Sequence, residues 1–295
     1  MERRLGNDGC TGSAVTPPWQ VAGGRALTPA APYGLMGILN LTPDSFYDGG
    51  RHATGDAAAS QARALRDAGA DILDIGAEST RPGALPLASG EELARLAPVL
   101  RAVRAEMPDL PVSVDTVHAA TAAAALDMGA SIINDVSACA VDPELTEVLV
   151  QYRPGYVLMH SKGRPQDMQV APRYENVCLE VRRFFARELD RLVAAGLPED
   201  RIVLDPGIGF GKTLAHNLAL LAHVEEFLEF GRPLLVGLSM KSLFGALLGL
   251  PVEARGAATQ TASALLWERG VLWHRVHDVA GVKGALRLAA AIAGA

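Results

Sequence analysis

From residue 35 onward the chain alternates without interruption between short apolar segments and longer Ala- and Leu-rich amphipathic ones. The short segments are 35–41, 71–77, 111–116, 131–137, 155–160, 202–206, 233–239 and 272–276. Between and after them lie helical patterns near 56–68, 90–106, 118–128, 142–151, 174–195, 213–229, 241–270 (broken at Gly249 and Pro251) and 278–293. A helix between two strands returns the chain to the same end of a sheet, so strict alternation makes the strands parallel. Eight such units in 295 residues suit an α/β fold of the closed (β/α)8 TIM barrel type better than an open sheet. An open doubly wound sheet wants a glycine-rich turn after its first strand, and Leu39-Asn40-Leu41-Thr42-Pro43 is not one.

Three helical patterns stop alike, at Gly69, Gly129 and Gly196. Glycine just past a helix supplies a left-handed stop, after which the next strand begins within a few residues. No Pro-, Ser- or charge-rich linker divides the chain, so residues 31–295 read as one barrel domain. Residues 1–30 read as a loosely ordered leader, or as a short strand that plugs the bottom of the barrel. They carry Arg3, Arg4 and Asp8 and lack the long apolar core of a secretory signal.

A hydrophobic fraction of 49% is ample for such a core, and the net charge is −6 with no basic run. That balance argues against a nucleic-acid partner. Apolar stretches such as 288–295 are too short to span a bilayer. Cys10, Cys139 and Cys178 show no CxxC spacing, which fits a reducing cytoplasm.

Function is read from where the polar residues fall. In a barrel, polar groups at strand C-termini belong to chemistry and those at N-termini to stability. Here the strand ends carry Asn40, Glu78 to Gly83, Asp115-Thr116, Asn134-Asp135, His160, Asp205 to Lys212, Ser239-Met240-Lys241 and Arg275-Val276-His277-Asp278. Buried carboxylates are costly unless paired, and Asp74, Asp115 and Asp205 outnumber the cations expected in their layer. A ligand rich in N–H donors, such as a heterocycle with a guanidine-like edge, would satisfy them. Each Asp could instead cap the following helix. That reading is preferred for Asp135 and Asp278, and ligand binding for Asp115 and Asp205.

Arg81, Lys241 and Arg275 sit on three different loops of the same face, and Arg275 and His277 point to one side of an extended segment. Together they suggest a pyrophosphate clamp. Gly207-Ile208-Gly209-Phe210-Gly211-Lys212-Thr213 lacks the spacing of a nucleotide-binding loop. Its glycines would let backbone approach a flat ligand, with Phe210 as one wall. His160 could be a ligand, a base or a structural hydrogen-bonder. No HxH or HExxH pattern suggests zinc. Mg²⁺, which needs few protein ligands, is compatible with Asn40 plus substrate phosphate oxygens.

These residues resemble a known family. Gly37-Ile38-Leu39-Asn40-Leu41-Thr42-Pro43-Asp44-Ser45-Phe46 and Asp74-Ile75-Gly76-Ala77-Glu78-Ser79-Thr80-Arg81-Pro82-Gly83 are similar to the two signatures of the dihydropteroate synthases, pterin-binding barrels. Ser113 to Thr116, Asn134 to Ser137, Leu158 to His160, Leu204 to Phe210 and Arg275 to Val279 match further family motifs in order. The resemblance implies condensation of 6-hydroxymethyl-7,8-dihydropterin pyrophosphate with p-aminobenzoate in folate biosynthesis, a Mg²⁺ cofactor and a homodimer formed through the later helices. It implies that Asp115, Asn134, Asp205 and Lys241 hold the pterin, with Met159 and Phe210 lining its slot. Asn40 would contact Mg²⁺, Arg81, Arg275 and His277 the pyrophosphate, and Thr80, Pro82 and Ser239 the aminobenzoate. Loops around 42–55 and 78–90 would close over the site to exclude water.

The chain departs from the family in two places. Ser239-Met240-Lys241 stands where Ser-Arg-Lys is usual, which removes a cation near the aminobenzoate. Ala138-Cys139 stands where glycine is usual. Three other readings compete. A methyltetrahydrofolate–corrinoid methyltransferase would not need the pyrophosphate clamp. A non-catalytic pterin-binding paralogue draws support only from Met240. A barrel aldolase would need a strand lysine that this chain lacks.

Overall fold

The strand and helix pattern closes into a ring. A computed structural model of the chain describes residues 17–41, 51–78, 87–163, 168 and 171–295, with the side chains of 51–56 outside that description. Ten strands are assigned: β1 (Trp19–Val21), β2 (Arg25–Leu27), β3 (Gly34–Asn40), β4 (Ile72–Gly76), β5 (Val112–Asp115), β6 (Ile132–Asp135), β7 (Gly155–Met159), β8 (Ile202–Asp205), β9 (Leu235–Gly237) and β10 (Trp273–Val276). β3 to β10 form one eight-stranded sheet in the order β8-β7-β6-β5-β4-β3-β10-β9, every pairing parallel. A parallel bridge between Leu204 and Leu234 joins the two edges.

Helices follow the strands: α1 (Arg51–Ala68), α2 (Ser89–Glu106), α3 (Ala119–Asp127), α4 (Leu145–Tyr152), α5 (Val177–Ala195), α6 (Leu214–Ala222), α7 (Ser242–Leu248), α8 (Gly256–Glu268) and α9 (Val279–Ala293). The glycine stops occur as expected, with φ of +104° at Gly69, +94° at Gly129 and +111° at Gly196. The helix expected over 213–229 is shorter: it ends at Ala222 and continues as a 3-10 segment over Val224–Phe230. Asn176 caps α5 by accepting from Leu179 N, and Asp278 caps α9 through Gly281 N.

A strand's side chains alternate between its faces, so the barrel interior is built in layers two residues apart. The lower layer is apolar: Met36, Ile72, Ile132, Val157, Val203, Leu235 and Trp273 pack with Trp19 and Val21. The last two belong to β1, which pairs antiparallel with β2. Residues 19–27 are therefore the bottom plug, the second of the two readings given for residues 1–30 and not the loosely ordered one. The Trp19 indole meets Trp273 edge-on with centroids 5.8 Å apart, and its Nε1 donates to Arg201 O at 2.7 Å. Gly34 makes room for this packing, since a Cβ there would lie 2.2 Å from the Trp273 ring. Residues 1–16 lie outside the described residues.

Candidate active site

Two residues further along each strand, the interior changes character. Trp273 is followed by Arg275, Ile72 by Asp74, Ile132 by Asn134, Val157 by Met159 and Val203 by Asp205. Asp115 ends β5 in register with Gly76 and Asn134. The layer above the apolar plug is thus charged, and it faces the C-terminal ends of the strands.

Arg275 organises it. Its Nε donates to Asp74 Oδ2 at 2.6 Å and its Nη2 to Asp115 Oδ2 at 2.8 Å, and both carboxylates are buried. Asn134 Nδ2 donates to the same Asp74 oxygen at 3.3 Å. From sequence, Arg275 reads as part of a pyrophosphate clamp, and here most of its fork is engaged within the protein. Two donors are committed to carboxylates, and Nη1 lies outside the bridge. Of the three carboxylates expected to outnumber the cations of their layer, Asp74 and Asp115 share Arg275. Two carboxylates share one guanidinium, however, so Arg275 can neutralise only one of them when both are ionised. Burial pushes the Asp115 carboxyl up to about 7, opposed by Arg275 and reinforced by Asp74.

The opposite wall is formed by Asp205, Lys241 and Phe210. Asp205 Oδ1 accepts from Gly207 N at 2.7 Å, and burial raises its pKa. Lys241 Nζ stands 4.2 Å over the Phe210 ring, and burial lowers its pKa to about 8 against the attraction of Asp205. Ser239 Oγ lies 2.9 Å from His277 Nδ1 and accepts from His277 N at 3.1 Å. Asn40 Nδ2 lies 3.4 Å from His277 Nε2, which joins the ends of β3 and β10. Of the expected site residues, Asn40, Asp115, Asn134, Met159, Asp205, Phe210, Ser239, Lys241, Arg275 and His277 all lie at this mouth. Thr80, Arg81 and Pro82 lie outside the described residues, as do 42–50 of the first loop.

A cavity of about 1080 Å³ opens beside the cluster. It shares Asp115 and Phe210 with it and runs outward past His118, Val141, Lys162 and Arg183. Asn134, Asp205, Lys241 and Arg275 do not line it. The convergent polar groups, rather than this cavity, mark the chemistry.

Four features were not foreseen from the residues alone. Lys212 is buried, and its Nζ donates to the carbonyls of His160, Gly207 and Phe210 at 3.2, 2.9 and 3.0 Å. It also lies 3.0 Å from His160 Nδ1. Burial lowers the Lys212 pKa to about 7 and that of His160 to about 2, so His160 is a neutral structural partner. The loop needs glycine here: a Cβ on Gly207 would lie 1.9 Å from His160 O. Glu92 of α2 is a second such feature, buried and accepting from Thr116 Oγ1 at 2.8 Å.

Asp135 is the third. It caps no helix, contrary to the expectation, and instead clamps the turn after β6. It accepts from Ser137 N, Cys139 N and the Tyr156 hydroxyl at 2.7, 2.6 and 3.0 Å. Those bonds hold Ala138 and Cys139 at φ +54° and +61° without glycine, a conformation costing roughly 1–2 kcal/mol per residue. Met240, the fourth, also has a positive φ, +58°, with its carbonyl gripped by Arg255 Nη1 at 3.0 Å.

Comparison with known proteins agrees with this geometry. Residues 36–277 match the family described as pterin binding enzyme. The dihydropteroate synthase of Escherichia coli K12 is 40% identical over 267 residues, which cover 90% of this chain and 94% of that protein. The Xanthomonas albilineans dihydropteroate synthase solved with 4-aminobenzoic acid superposes with a TM-score of 0.87 at 42% identity, covering 94% of this chain and 99% of that one. The same organism's enzyme in complex with 7,8-dihydropteroate gives 0.81 at 40% identity, covering 92% and 97%. The chain belongs to the pterin-binding enzyme family, among its dihydropteroate synthases.

Proposed function

We propose that this chain condenses 6-hydroxymethyl-7,8-dihydropterin pyrophosphate with p-aminobenzoate, giving 7,8-dihydropteroate and pyrophosphate in folate biosynthesis. The observation that carries the reading is one ring of Asp115, Asn134, Asp205, Lys241 and Arg275 at the strand ends, in a chain of this family. A pterin presents an amino-amide edge rich in N–H donors, and Asp205 and Asp115 are the acceptors placed to take them. Loss of pyrophosphate from the CH₂ group leaves a delocalised cation on the electron-rich ring. The negative charge around Asp74 and Asp115, held in low dielectric, stabilises that cation. The aniline nitrogen is nucleophilic as it stands, so no strong base is required.

The departing charge is assigned to His277 and Asn40, with Arg275 Nη1 and Arg81. Mg²⁺ suits this place. With Nδ2 turned to His277, the Asn40 amide keeps its carbonyl oxygen outside that contact, and Mg²⁺ favours one or two protein oxygens plus substrate phosphates. When bound there it would neutralise charge on the leaving group. Thr80, Pro82 and Ser239 are assigned to the aminobenzoate.

The same proposal includes a homodimer and a cytoplasmic setting. α8 and α9 pack on one another and expose Leu265 at 57%, Leu288 at 63% and Ile292 at 67%. Exposed leucines on adjoining helices are an apolar face suited to a second copy. Light scattering should find twice the chain mass, and a monomer at micromolar concentration would refute this. Cys139 and Cys178 are free, and no helix among the described residues is long and apolar enough to cross a membrane.

The test of the reaction is pyrophosphate release from dihydropterin pyrophosphate and Mg²⁺, with and without p-aminobenzoate. Release that depends on aminobenzoate and yields dihydropteroate supports the reading and shows that Met240 is tolerated. Pterin binding without product would favour a non-catalytic pterin-binding protein.

A further inference from the structure

We propose that Asp74 is a positioning residue that fixes where Arg275 and Asn134 present their donors to the pterin end of the site; the inference rests on the reaction proposed above. Asp74 sits in the middle of β4, paired in register with Ile38 and Ser113, and is fully buried. A single oxygen, Oδ2, receives both Arg275 Nε and Asn134 Nδ2. The residues it joins stand 201 and 60 positions away in sequence. Asp74 stands two residues before the end of β4 at Gly76, and no part of it is exposed.

The geometry explains why a carboxylate is needed there. A guanidinium held only by Asp115 could pivot about that contact. Anchored at Nε and Nη2 on carboxylates from two strands, its plane is defined. Asn134 is oriented by the same atom, so the two donors are set relative to each other. Asp74 Oδ1, by contrast, is buried without a hydrogen-bond partner. An apolar residue in this barrel layer would spare the fold that desolvation. The carboxylate is therefore explained by what it aims rather than by what it stabilises.

The charge of Asp74 also reaches Asp115. The groups that face Asp115 are Arg275 on β10, Asp74 on β4, Glu92 on α2, Asp135 on β6 and Lys241 after β9. Among them Arg275 and Lys241 favour its ionised form, and the three carboxylates oppose it. Removing the negative charge of Asp74 must then lower the pKa of Asp115.

The experiment is Asp74→Asn, measured for kcat and for the KM of each substrate across pH beside the unaltered enzyme. The expected result is a fall of about 10²-fold in kcat/KM for dihydropterin pyrophosphate, the scale of a reacting group misplaced by an ångström. The KM for p-aminobenzoate should stay within about twofold, well under the tenfold that 1.4 kcal/mol represents. The acidic limb of the kcat/KM profile should move to lower pH, which a purely structural defect would not cause. An unmoved limb, or equal losses for both substrates, overturns the proposal. If the unaltered enzyme forms no dihydropteroate, the reaction reading fails instead. Should Asp74→Asn not fold, Asp74→Ser removes the same charge with a smaller side chain. Should neither fold, Arg275→Lys reads the bridge from its other end. It keeps the charge but cannot reach both carboxylates, so the limb should move to higher pH, and no movement overturns the bridge.

Discussion

The lower and upper layers of the barrel interior are made by the same strands, two residues apart, yet they solve opposite problems. Below, Met36, Ile72, Ile132, Val157, Val203, Leu235 and Trp273 close on Trp19 and Val21 with two side-chain N–H groups among them: Trp19 Nε1 donates to Arg201 O, and Trp273 Nε1 is buried without a partner. Above, Asp74, Asp115 and Asp205 face Arg275 and Lys241, and a buried Asp74 oxygen has no partner. The lower layer holds no charged group. In the upper layer charge is held in place at a cost, which is how a site prepared for a charged or N–H-rich ligand differs from a core. Stability and chemistry are thus stacked along one axis and can be altered separately.

The largest effect that would break this contrast lies in the lower layer. Trp273→Ala should destabilise the chain by about 3–5 kcal/mol through the cavity it leaves, read by chemical denaturation. A loss under about 1 kcal/mol would mean that the plug does not carry the barrel. The complementary change is Asp205→Asn. It should leave the melting temperature near its starting value while dihydropterin pyrophosphate affinity falls by about 10- to 100-fold, the worth of one charge-assisted hydrogen bond. Undiminished affinity in calorimetry would remove Asp205 from the pterin site.

The smallest effect is a pH dependence. Burial raises Asp115 from 3.8 to about 7 in the folded chain, so the fold binds more protons than the unfolded chain between those values. The contribution of Asp115 is fully present below pH 3.8 and lost as pH rises through 7. Asp115→Asn should accordingly flatten the decline in melting temperature across that window. An unchanged slope would show that Asp115 is ionised throughout, with Arg275 outweighing burial.

Much of this was legible along the chain. The eight strand segments, the glycine stops and the polar strand ends are local patterns, and the strands fall within two residues of the boundaries read from composition alone. The candidate residues that lie at the mouth were likewise recognisable, because a barrel puts strand ends on one face whatever the loops do. Partner choice was not legible. Arg275 resembled a free clamp because the one acid near it in sequence, Asp278, caps the next helix, whereas Asp74 and Asp115 meet Arg275 only when the ring closes. Lys212 ends a glycine-rich loop that lacks the spacing of a nucleotide site, and its ammonium turns inward onto three carbonyls. The available signal was the apolar setting on both sides of that loop, which leaves a lysine little room to reach a ligand.

The sequence by itself determined the period, the parallel sheet, the face that carries chemistry and the family. Those follow from spacing and polarity, which each residue carries regardless of its distant neighbours. Only the tertiary structure decided that residues 19–27 seal the barrel, that Asp135 clamps a turn instead of capping a helix, and that one guanidinium spans two carboxylates. Each depends on groups remote in the chain brought within hydrogen-bond distance, where burial strengthens every charge and decides which partner it takes.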